Sequence, residues 1–509
     1  MHPVSSSGVG GMDPPLPYLD DVERSDLAAV SLSGVRWVSL ARFVAETLAF
    51  GSSVVLAHLI SPAEFGRAAV ALGVAVIAPA IAWAGFGAPV IQMRSIERGH
   101  VEVATFLSIV SGVFLTLATV FVLAPYAVEP VFGSRVAYLL EIASPIFVLA
   151  GVGTVPNALL QRRLAFRRLS EIEIVATAAG PLAAIVLAIG GLNGEALILG
   201  GVVTALVATV LTLITAPLAA VRWRRREASR VAGFGIFAAL SSVAGVLFNN
   251  IDYAILGARL PAREVGFYWR AYQLGIQYQT KISGIMLRLA FPIYARTSSL
   301  EEMRRLRSRI VRVHTVILYP MLTVLIVVAP ELVPLVFGSE WEPAVFPTQV
   351  LAVAGMGAVA AIGVEPLLLA AGKPRPMLYY NLVLLAGYGA VVTWASGYGL
   401  RTVVIAVAVY QVVLVAGQFF FLESRQVGIP LRETWTAVLP AVVAAGVSLA
   451  GSYPAARAIA ETGTADVVVV LAGGTFALGL YALGLRVLFP AVWSELRELT
   501  HAFVGRRAS

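Results

Sequence analysis

Long apolar stretches separated by short polar links run through nearly the whole chain. A helix needs about 20 apolar residues to cross the hydrocarbon core of a bilayer, and these stretches have about that length. The pattern therefore predicts an all-α polytopic membrane protein with about fourteen transmembrane helices. The predicted spans are 34–59, 65–92, 102–124, 136–160, 172–190, 195–220, 231–258, 265–293, 311–329, 346–371, 377–396, 402–422, 435–451 and 466–489.

Two of these spans are weaker than the others, and the two ends of the chain differ from all of them. The eighth span carries three cations and the thirteenth is short, so twelve spans remain if the last pair is interfacial. Residues 1–33 are rich in proline, glycine and acidic side chains, which predicts a disordered acidic tail. They lack the basic region and short apolar run of a secretory signal peptide. Residues 490–509 predict a second tail.

The composition agrees with a membrane protein. The 509 residues are 59% hydrophobic and 13% charged, with a mean hydropathy of +0.85, whereas soluble domains carry about 25% charge. A large soluble enzyme and a disulfide scaffold are thereby excluded. The chain has no cysteine, and its five histidines are scattered without metal-ligand spacing. We therefore expect no metal, no cofactor and no enzymatic activity.

The basic residues predict how the chain lies in the membrane. One set of alternate loops holds 21 arginines and lysines and the other set only 6. The richer side is expected to be cytoplasmic, which places both termini in the cytoplasm of a bacterial inner-membrane protein. The net charge of +8 could also indicate a nucleic-acid partner. Because the basic residues alternate between loops, membrane orientation explains them better. We therefore expect membrane lipids as partners and no nucleic acid.

An internal repeat divides the chain into two similar halves. Residues 64–66 (EFG) match residues 264–266 (EVG) at an offset of 200, and VFGS recurs at 131–134 and 336–339. Six spans separate the copies, so corresponding helices point the same way. The repeat predicts an N-lobe at 34–220 and a C-lobe at 231–423, followed by two extra helices within 435–489. Two such lobes around a cavity are typical of a transporter.

The eighth predicted span has an unusual polar stripe. Arg270, Gln277, Lys281 and Arg288 are spaced by 7, 4 and 7 residues, which places all four on one face of a regular α-helix. A charge inside the bilayer is costly and is usually retained for function. The stripe therefore predicts a cationic lumen for an anionic substrate, although cations paired with acids between helices are the alternative.

Other polar residues lie inside predicted spans. Arg42 and Glu46 are one turn apart on the first span and can form an ion pair. Asp252 can neutralise a lumen cation or carry a coupling ion. The full set of additional lumen candidates comprises Glu46, Asn249, Asn250, Asp252, Gln277 and Glu365, the last preceding a proline within the tenth span.

Four segments resemble one family of transporters. They are LAHLISPAEFGRAAVALGVAVI at 56–77, PNALLQRRLAFRRLSEIEI at 156–174, NNIDYAILGARLPAREVGFYWRAYQL at 249–274 and VAPELVPLVFGSEWEPAV at 328–345. Together they resemble the polysaccharide transporter family, the Wzx-type O-antigen and exopolysaccharide flippases. That family shares a superfamily with the MATE multidrug exporters and the lipid II flippase.

The resemblance implies a function and a set of partners. Such proteins flip undecaprenyl-diphosphate-linked oligosaccharides across the cytoplasmic membrane for lipopolysaccharide or exopolysaccharide biosynthesis. They use alternating access through a cationic lumen. The implied substrate-binding cations are Arg42, Arg270, Lys281 and Arg288, and a polysaccharide polymerase and a chain-length regulator are implied partners. In the lipid II flippase, extra C-terminal helices form a groove for the lipid tail, as residues 435–489 could do here.

Two other functions compete with this interpretation. A multidrug or cation exporter of the same fold would have an acidic and aromatic lumen rather than a cationic one. A membrane-bound polymerase or ligase would carry a large loop with polar catalytic residues, and the loops here are too short for that.

Overall fold

The computed structural model describes residues 27–93, 96–283, 299–364, 367–368 and 373–505. Every regular element in these residues is helical. The apolar stretches form helices because the bilayer core offers no other partner for backbone N–H and C=O groups. In the first half of the chain the helices are α1 (Leu27–Leu59), α2 (Pro62–Ile91), α3 (Arg98–Phe132), α4 (Ser134–Arg162), α5 (Phe166–Ile189) and α6 (Gly194–Thr215).

The second half continues the same pattern. The helices are α7 (Arg225–Arg259), α8 (Ala262–Tyr272), α9 (Leu300–Phe337), α10 (Ser339–Ala360), α11 (Pro374–Ser396), α12 (Leu400–Val427), α13 (Leu431–Glu461), α14 (Asp466–Leu488) and α15 (Pro490–Gly505). Helix α8 continues through a π-helical turn, Gln273–Gln277, and is described as far as residue 283. Helix α10 begins with a 3₁₀ turn, Ser339–Ala344.

The observed helices agree with the predicted spans in position. Within the described residues, ten helices are long and apolar enough to cross a membrane. The other four predicted spans coincide with α1, α7, α8 and α11; α8 ends at the edge of a described range, and the other three contain side chains that the structure does not describe. The all-α membrane architecture is confirmed, whereas the count of fourteen stays a prediction.

The chain separates into two compact units. Unit 1 comprises residues 1–52, 74–190 and 195–247, and unit 2 comprises 53–73, 191–194 and 248–509. The segment 53–73, which the repeat assigns to the N-lobe, therefore packs with unit 2. The lobe boundaries inferred from the sequence stay a prediction.

In unit 1, small residues allow α3 and α4 to approach closely. A Cβ on Gly112 would overlap the carbonyl oxygen of Phe147, and one on Gly151 would overlap that of Ser108. The Ser108 hydroxyl donates a hydrogen bond of 2.7 Å to the Gly151 carbonyl oxygen. Such small-residue contacts are a typical packing mode of transmembrane helices.

In unit 2, the two copies of the repeated EFG/EVG segment contact each other. A Cβ on Gly66 of α2 would overlap the carbonyl oxygen of Ala262, and one on Gly266 of α8 would overlap that of Pro62. Pro62 and Ala262 are themselves related by the offset of 200. The contact is therefore reciprocal, as expected when equivalent elements pack about a pseudo-two-fold axis.

The repeat also recurs in hydrogen bonds and backbone conformation. Glu64 accepts a hydrogen bond of 3.2 Å from the backbone N–H of Gly194, and Glu264 accepts one of 3.2 Å from that of Leu400. Each carboxylate thus lies at the N-terminus of a helix, where the dipole favours negative charge. Gly133 and Gly338 share an extended backbone with positive φ, 86° and 96°, which only glycine adopts readily.

The last helices pack on α9 within unit 2. Ser448 of α13 donates a hydrogen bond of 2.7 Å to the carbonyl oxygen of Ala477 in α14, and Tyr481 of α14 donates one of 3.3 Å to that of Val316. Helix α15 is amphipathic, and Glu495 lies 3.0 Å from both Arg309 and Arg312 at the start of α9.

Candidate functional site

The most deeply buried cation of the predicted stripe lies on α8. This helix follows Pro261, whose fixed φ suits the residue that precedes a first turn, and Glu264 occupies that turn. Arg270 lies two turns further along and is only 1% exposed. All of its neighbours described below belong to unit 2.

Four aromatic rings enclose the Arg270 guanidinium. Its central carbon lies 4.3 Å from the ring centre of Phe337, 4.8 Å from Trp341, 5.1 Å from Phe65 and 5.2 Å from Trp269. We call these four rings the aromatic box. Each ring face is electronegative and attracts a cation, most strongly where water is excluded.

Hydrogen bonds hold the box and its cation in place. Arg270 donates to the hydroxyl of Ser53 through Nη1 and to its carbonyl oxygen, at 3.4 Å, through Nη2. The Trp341 indole N–H donates a hydrogen bond of 3.1 Å to the carbonyl oxygen of Ala57. The turn at Gly338, between α9 and α10, carries Trp341 back toward Phe65, with ring centres 5.3 Å apart.

The charge balance at Arg270 is unusual. Among the described residues, no carboxylate forms an ion pair with it, and its buried Nε has no hydrogen-bond partner. Burying a cation without a counter-ion is costly, and the aromatic rings and Ser53 compensate only in part. An unneutralised buried cation with an unused donor is suited to receive an anion.

Asp252 of α7 is the centre of a second polar cluster. It is 1% exposed and accepts hydrogen bonds of 2.7 Å from the Tyr268 hydroxyl, 3.1 Å from the Tyr388 hydroxyl and 2.9 Å from the Tyr253 backbone N–H. No arginine, lysine or histidine of the described residues forms an ion pair with it. Tyrosines rather than a lumen cation therefore hold this carboxylate.

The sequence predicts that the polar stripe lies on one face of a regular α-helix, but α8 contains a π-helical turn between Arg270 and Lys281. A π turn inserts an extra residue and rotates everything beyond it by roughly 100° relative to a regular α-helix. Gln277 ends that turn and is half-buried, whereas Lys281 is exposed, with its ammonium 5.4 Å from the Tyr278 ring centre. Arg270 and Lys281 therefore occupy different surroundings, one enclosed and one accessible.

The remaining predicted residues differ in their exposure or lie outside the described set. Glu46 and Asn250 are half-buried and Asn249 is exposed. The Arg42 side chain, Arg288 and Glu365 lie outside the described residues, so no contact is assigned to them.

Sequence reasoning missed two features of unit 2. The aromatic box is assembled from α2, α8, α9 and α10, so its rings come from three separate parts of the sequence. Arg307, counted with the arginines of a loop, instead lies on α9, is 1% exposed and forms an ion pair with Glu423. A buried arginine and a buried acid 116 residues apart leave no periodic signal in the sequence.

The family comparison assigns the chain. A family model described as polysaccharide biosynthesis protein matches residues 55–346, which include α8, all four rings of the aromatic box and Asp252. The chain belongs to this family. The resemblance read from the four sequence segments is thereby confirmed.

Curated relatives cover much of this family member. The chain is 28% identical over 334 residues to the lipopolysaccharide biosynthesis protein WzxC of Escherichia coli, covering 64% of this chain and 67% of the relative. It is 26% identical over 370 residues to the teichuronic acid biosynthesis protein TuaB of Bacillus subtilis, covering 70% and 75%. It is 27% identical over 312 residues to the succinoglycan biosynthesis transport protein ExoT of Rhizobium meliloti, covering 60% and 62%.

Solved structures confirm the predicted fold. The lipid II flippase MurJ in an inward closed conformation superposes with a TM-score of 0.65 at 11% identity, covering 89% of this chain and 99% of that one. An inward-facing MATE multidrug transporter superposes with a TM-score of 0.59 at 13% identity, covering 79% and 99%. This family member therefore has the MurJ/MATE transporter fold and is a multi-pass membrane protein.

Proposed function

We propose that this protein flips undecaprenyl-diphosphate-linked oligosaccharides across the bacterial cytoplasmic membrane for lipopolysaccharide or exopolysaccharide biosynthesis. Its family is described by polysaccharide biosynthesis, and its relatives are named for lipopolysaccharide, teichuronic acid and succinoglycan. The fold is that of a solved lipid II flippase. A flippase moves its substrate without breaking a bond, which suits a chain in which we expect no catalytic residue.

The observation that carries the proposal is Arg270. A diphosphate passing through the protein needs fixed cations, and arginine offers two parallel donors to phosphate oxygens. Arg270 is a buried cation that no carboxylate of the described residues neutralises. In this conformation the aromatic box encloses it, so the proposal requires the box to open during transport.

Three further cations complete the proposed path. Lys281 is exposed and is suited to make an early contact with the diphosphate. Arg42 of α1 and Arg288, which lies outside the described residues, are proposed as further cationic partners. Glu46, Asn249, Asn250, Gln277 and Glu365 remain candidates for the polar lining, and Asp252, with its tyrosine donors, remains the candidate for coupling.

The setting of the reaction is part of the same proposal. The distribution of arginine and lysine supports cytoplasmic N- and C-termini in the inner membrane. A polysaccharide polymerase and a chain-length regulator are proposed to act on the flipped product.

Arg270→Met tests the proposal because methionine keeps the length and apolar contacts of the side chain and removes its charge. We expect at least a tenfold loss of flipping of fluorescent undecaprenyl-diphosphate-N-acetylglucosamine in proteoliposomes. Folding should be retained, because removing this charge leaves no carboxylate of the described residues buried without its counter-ion.

Arg401→Met is the matched control, because Arg401 lies over a single ring, Phe346, at 4.5 Å and is exposed. It should leave flipping unchanged. Normal flipping by Arg270→Met at normal protein level would reject the role of Arg270.

The alternative of a multidrug exporter rests on the MATE likeness, which covers the fold alone. Drug efflux from cells that express this protein, without flipping of the glycan lipid, would favour that alternative.

A further inference from the structure

Unit 1 contains a cleft of about 400 Å³ between α2, α4 and α6. Its volume lies within the range of roughly 300–1,000 Å³ that is typical of small-molecule sites. None of the side chains that line the cleft in the described residues is charged. An anionic diphosphate and a cationic drug are both poorly suited to such a lining, because each requires a countercharge.

Trp83 forms the aromatic wall of the cleft. It begins a π-helical turn, Trp83–Gly87, in α2, and such turns are frequent at functional sites. A Cβ on Gly87 would lie 3.0 Å from both the Trp83 ring and Thr154 Cγ2 of α4. Glycine at this position therefore allows the indole to lie against the helix, and Trp83 remains partly exposed and lines the cleft.

Neutral hydrogen-bonding groups form the facing walls. Asn157 and Gln161 lie one turn apart on α4, and the Gln161 amide donates a hydrogen bond of 3.0 Å to the Asn157 carbonyl oxygen. That bond leaves the Asn157 amide N–H groups and the Gln161 carbonyl oxygen available. Thr209 and Thr212 of α6 complete the polar lining.

Unit 2 has a counterpart between α8, α10 and α12. This smaller cleft of about 240 Å³ is lined by Gln279, Ser283 and Gln418, again without charge in the described residues. Gln418 follows Thr212 by 206 residues, the same offset that relates the capped residues Gly194 and Leu400. The equivalent position between helices thus carries neutral polar groups in both repeats, and a tryptophan lines only the cleft of unit 1.

We propose that the cleft of unit 1 binds an uncharged sugar ring of the transported glycan. A pyranose has a face of C–H groups that packs on an aromatic ring and a rim of hydroxyls that exchange hydrogen bonds with amides. Trp83 supplies the first contact, and Asn157, Gln161 and Thr212 supply the second. This inference rests on the proposed flippase function, because it identifies part of that substrate.

The test uses the full chain in lipid nanodiscs and saturation-transfer NMR with free glucose and free glucuronate as probes. Glucose should show transfer and glucuronate at least threefold less. Trp83→Ala should reduce the glucose signal at least fivefold, and Trp83→Phe should retain about half of it. Trp394→Ala, at a surface tryptophan of unit 2, is the control and should change nothing.

A second variant guards against misfolding of Trp83→Ala. Thr212→Val removes one hydroxyl at nearly constant volume and should lower the glucose signal about twofold. A glucose signal unaffected by both Trp83→Ala and Thr212→Val would overturn the proposal, as would glucuronate binding as strong as that of glucose.

Flipping measured on the same samples separates the two proposals. If the protein flips the glycan lipid normally but the saturation-transfer signal of glucose does not depend on Trp83, the sugar site is rejected and the flippase function stands. If the saturation-transfer signal of glucose depends on Trp83 but the glycan lipid is not flipped, the flippase function is rejected and a saccharide site remains in this fold.

Discussion

Arg270 and Arg307 are both 1% exposed, and both belong to unit 2, yet their surroundings differ in kind. Arg307 of α9 forms an ion pair with Glu423 of α12, whose other oxygen accepts a hydrogen bond of 3.0 Å from Thr434 of α13. Arg270 has rings and a serine around it and no acid among the described residues. A paired cation ties helices together, whereas an unpaired one keeps its charge available for a ligand.

The largest expected effect on stability concerns Arg307, the arginine that forms an ion pair. Glu423→Ala leaves Arg307 buried without its counter-ion, so we expect a loss of about 3–5 kcal/mol in the free energy of unfolding. Denaturation of the purified protein in mixed micelles measures it.

The double variant Arg307→Met/Glu423→Leu is the control, because it removes both charges and fills their space. It should recover most of the stability and retain flipping. If the single variant were as stable as the double one, Arg307 would not depend on its acid.

A smaller effect is expected when Arg270 loses the hydroxyl of Ser53, which accepts a hydrogen bond from its guanidinium. Ser53→Ala removes the hydrogen bond from the guanidinium to the Ser53 hydroxyl and leaves the bond to its carbonyl oxygen. A hydrogen bond to a charged group contributes about 2 kcal/mol. The loss should appear as a lower free energy of unfolding in the same micelles.

Ser52→Ala is the neighbouring control, since its hydroxyl only donates to the Ala49 carbonyl oxygen within α1. Equal stability of the two variants would show that Ser53 does not hold the guanidinium.

The smallest effect concerns a single wall of the aromatic box. Phe337→Leu keeps an apolar side chain in place and removes the ring nearest to Arg270. A single cation–π contact contributes about 0.5–2 kcal/mol, and three rings remain around the guanidinium, so we expect a loss of about 1 kcal/mol.

Phe421→Leu, at an exposed ring on α12, is the matched control and should change stability by less than half as much. Destabilisation by Phe337→Leu that persists in an Arg270→Met background would mean that the ring acts by packing and not on the cation.

The fold was largely predictable because its signals are long and redundant. Each span contributes about 20 apolar residues, and the repeat places the same short motifs twice at nearly constant offset. Observed helices extend past the predicted spans, as α9 does at Leu300–Phe337 against 311–329, because hydropathy reports the bilayer core and not the end of a helix.

The candidate site was predictable only in part. Intramembrane charge singled out Arg270 and Asp252, because buried ionisable groups are rare and conspicuous in an apolar sequence. Their partners could not be read in the same way. Tyr268, Tyr388, Phe337 and Trp341 are ordinary core residues until helices distant in sequence bring them to a charge, and the π-helical turn that separates Arg270 from Lys281 leaves no mark in hydrophobic periodicity.

The segment 53–73 limits where this chain can be divided into fragments that fold. It supplies Ser53 and Phe65 to Arg270, the carbonyl oxygen of Ala57 to Trp341, and Gly66 to the contact with Gly266. A fragment that starts at α7 would therefore contain most of unit 2 but expose a bare guanidinium and an uncovered indole. Two halves of this protein should recover activity when they are produced together. If they are produced separately and then mixed, they should do so only when the fragment that starts at α7 also carries a grafted copy of segment 53–73.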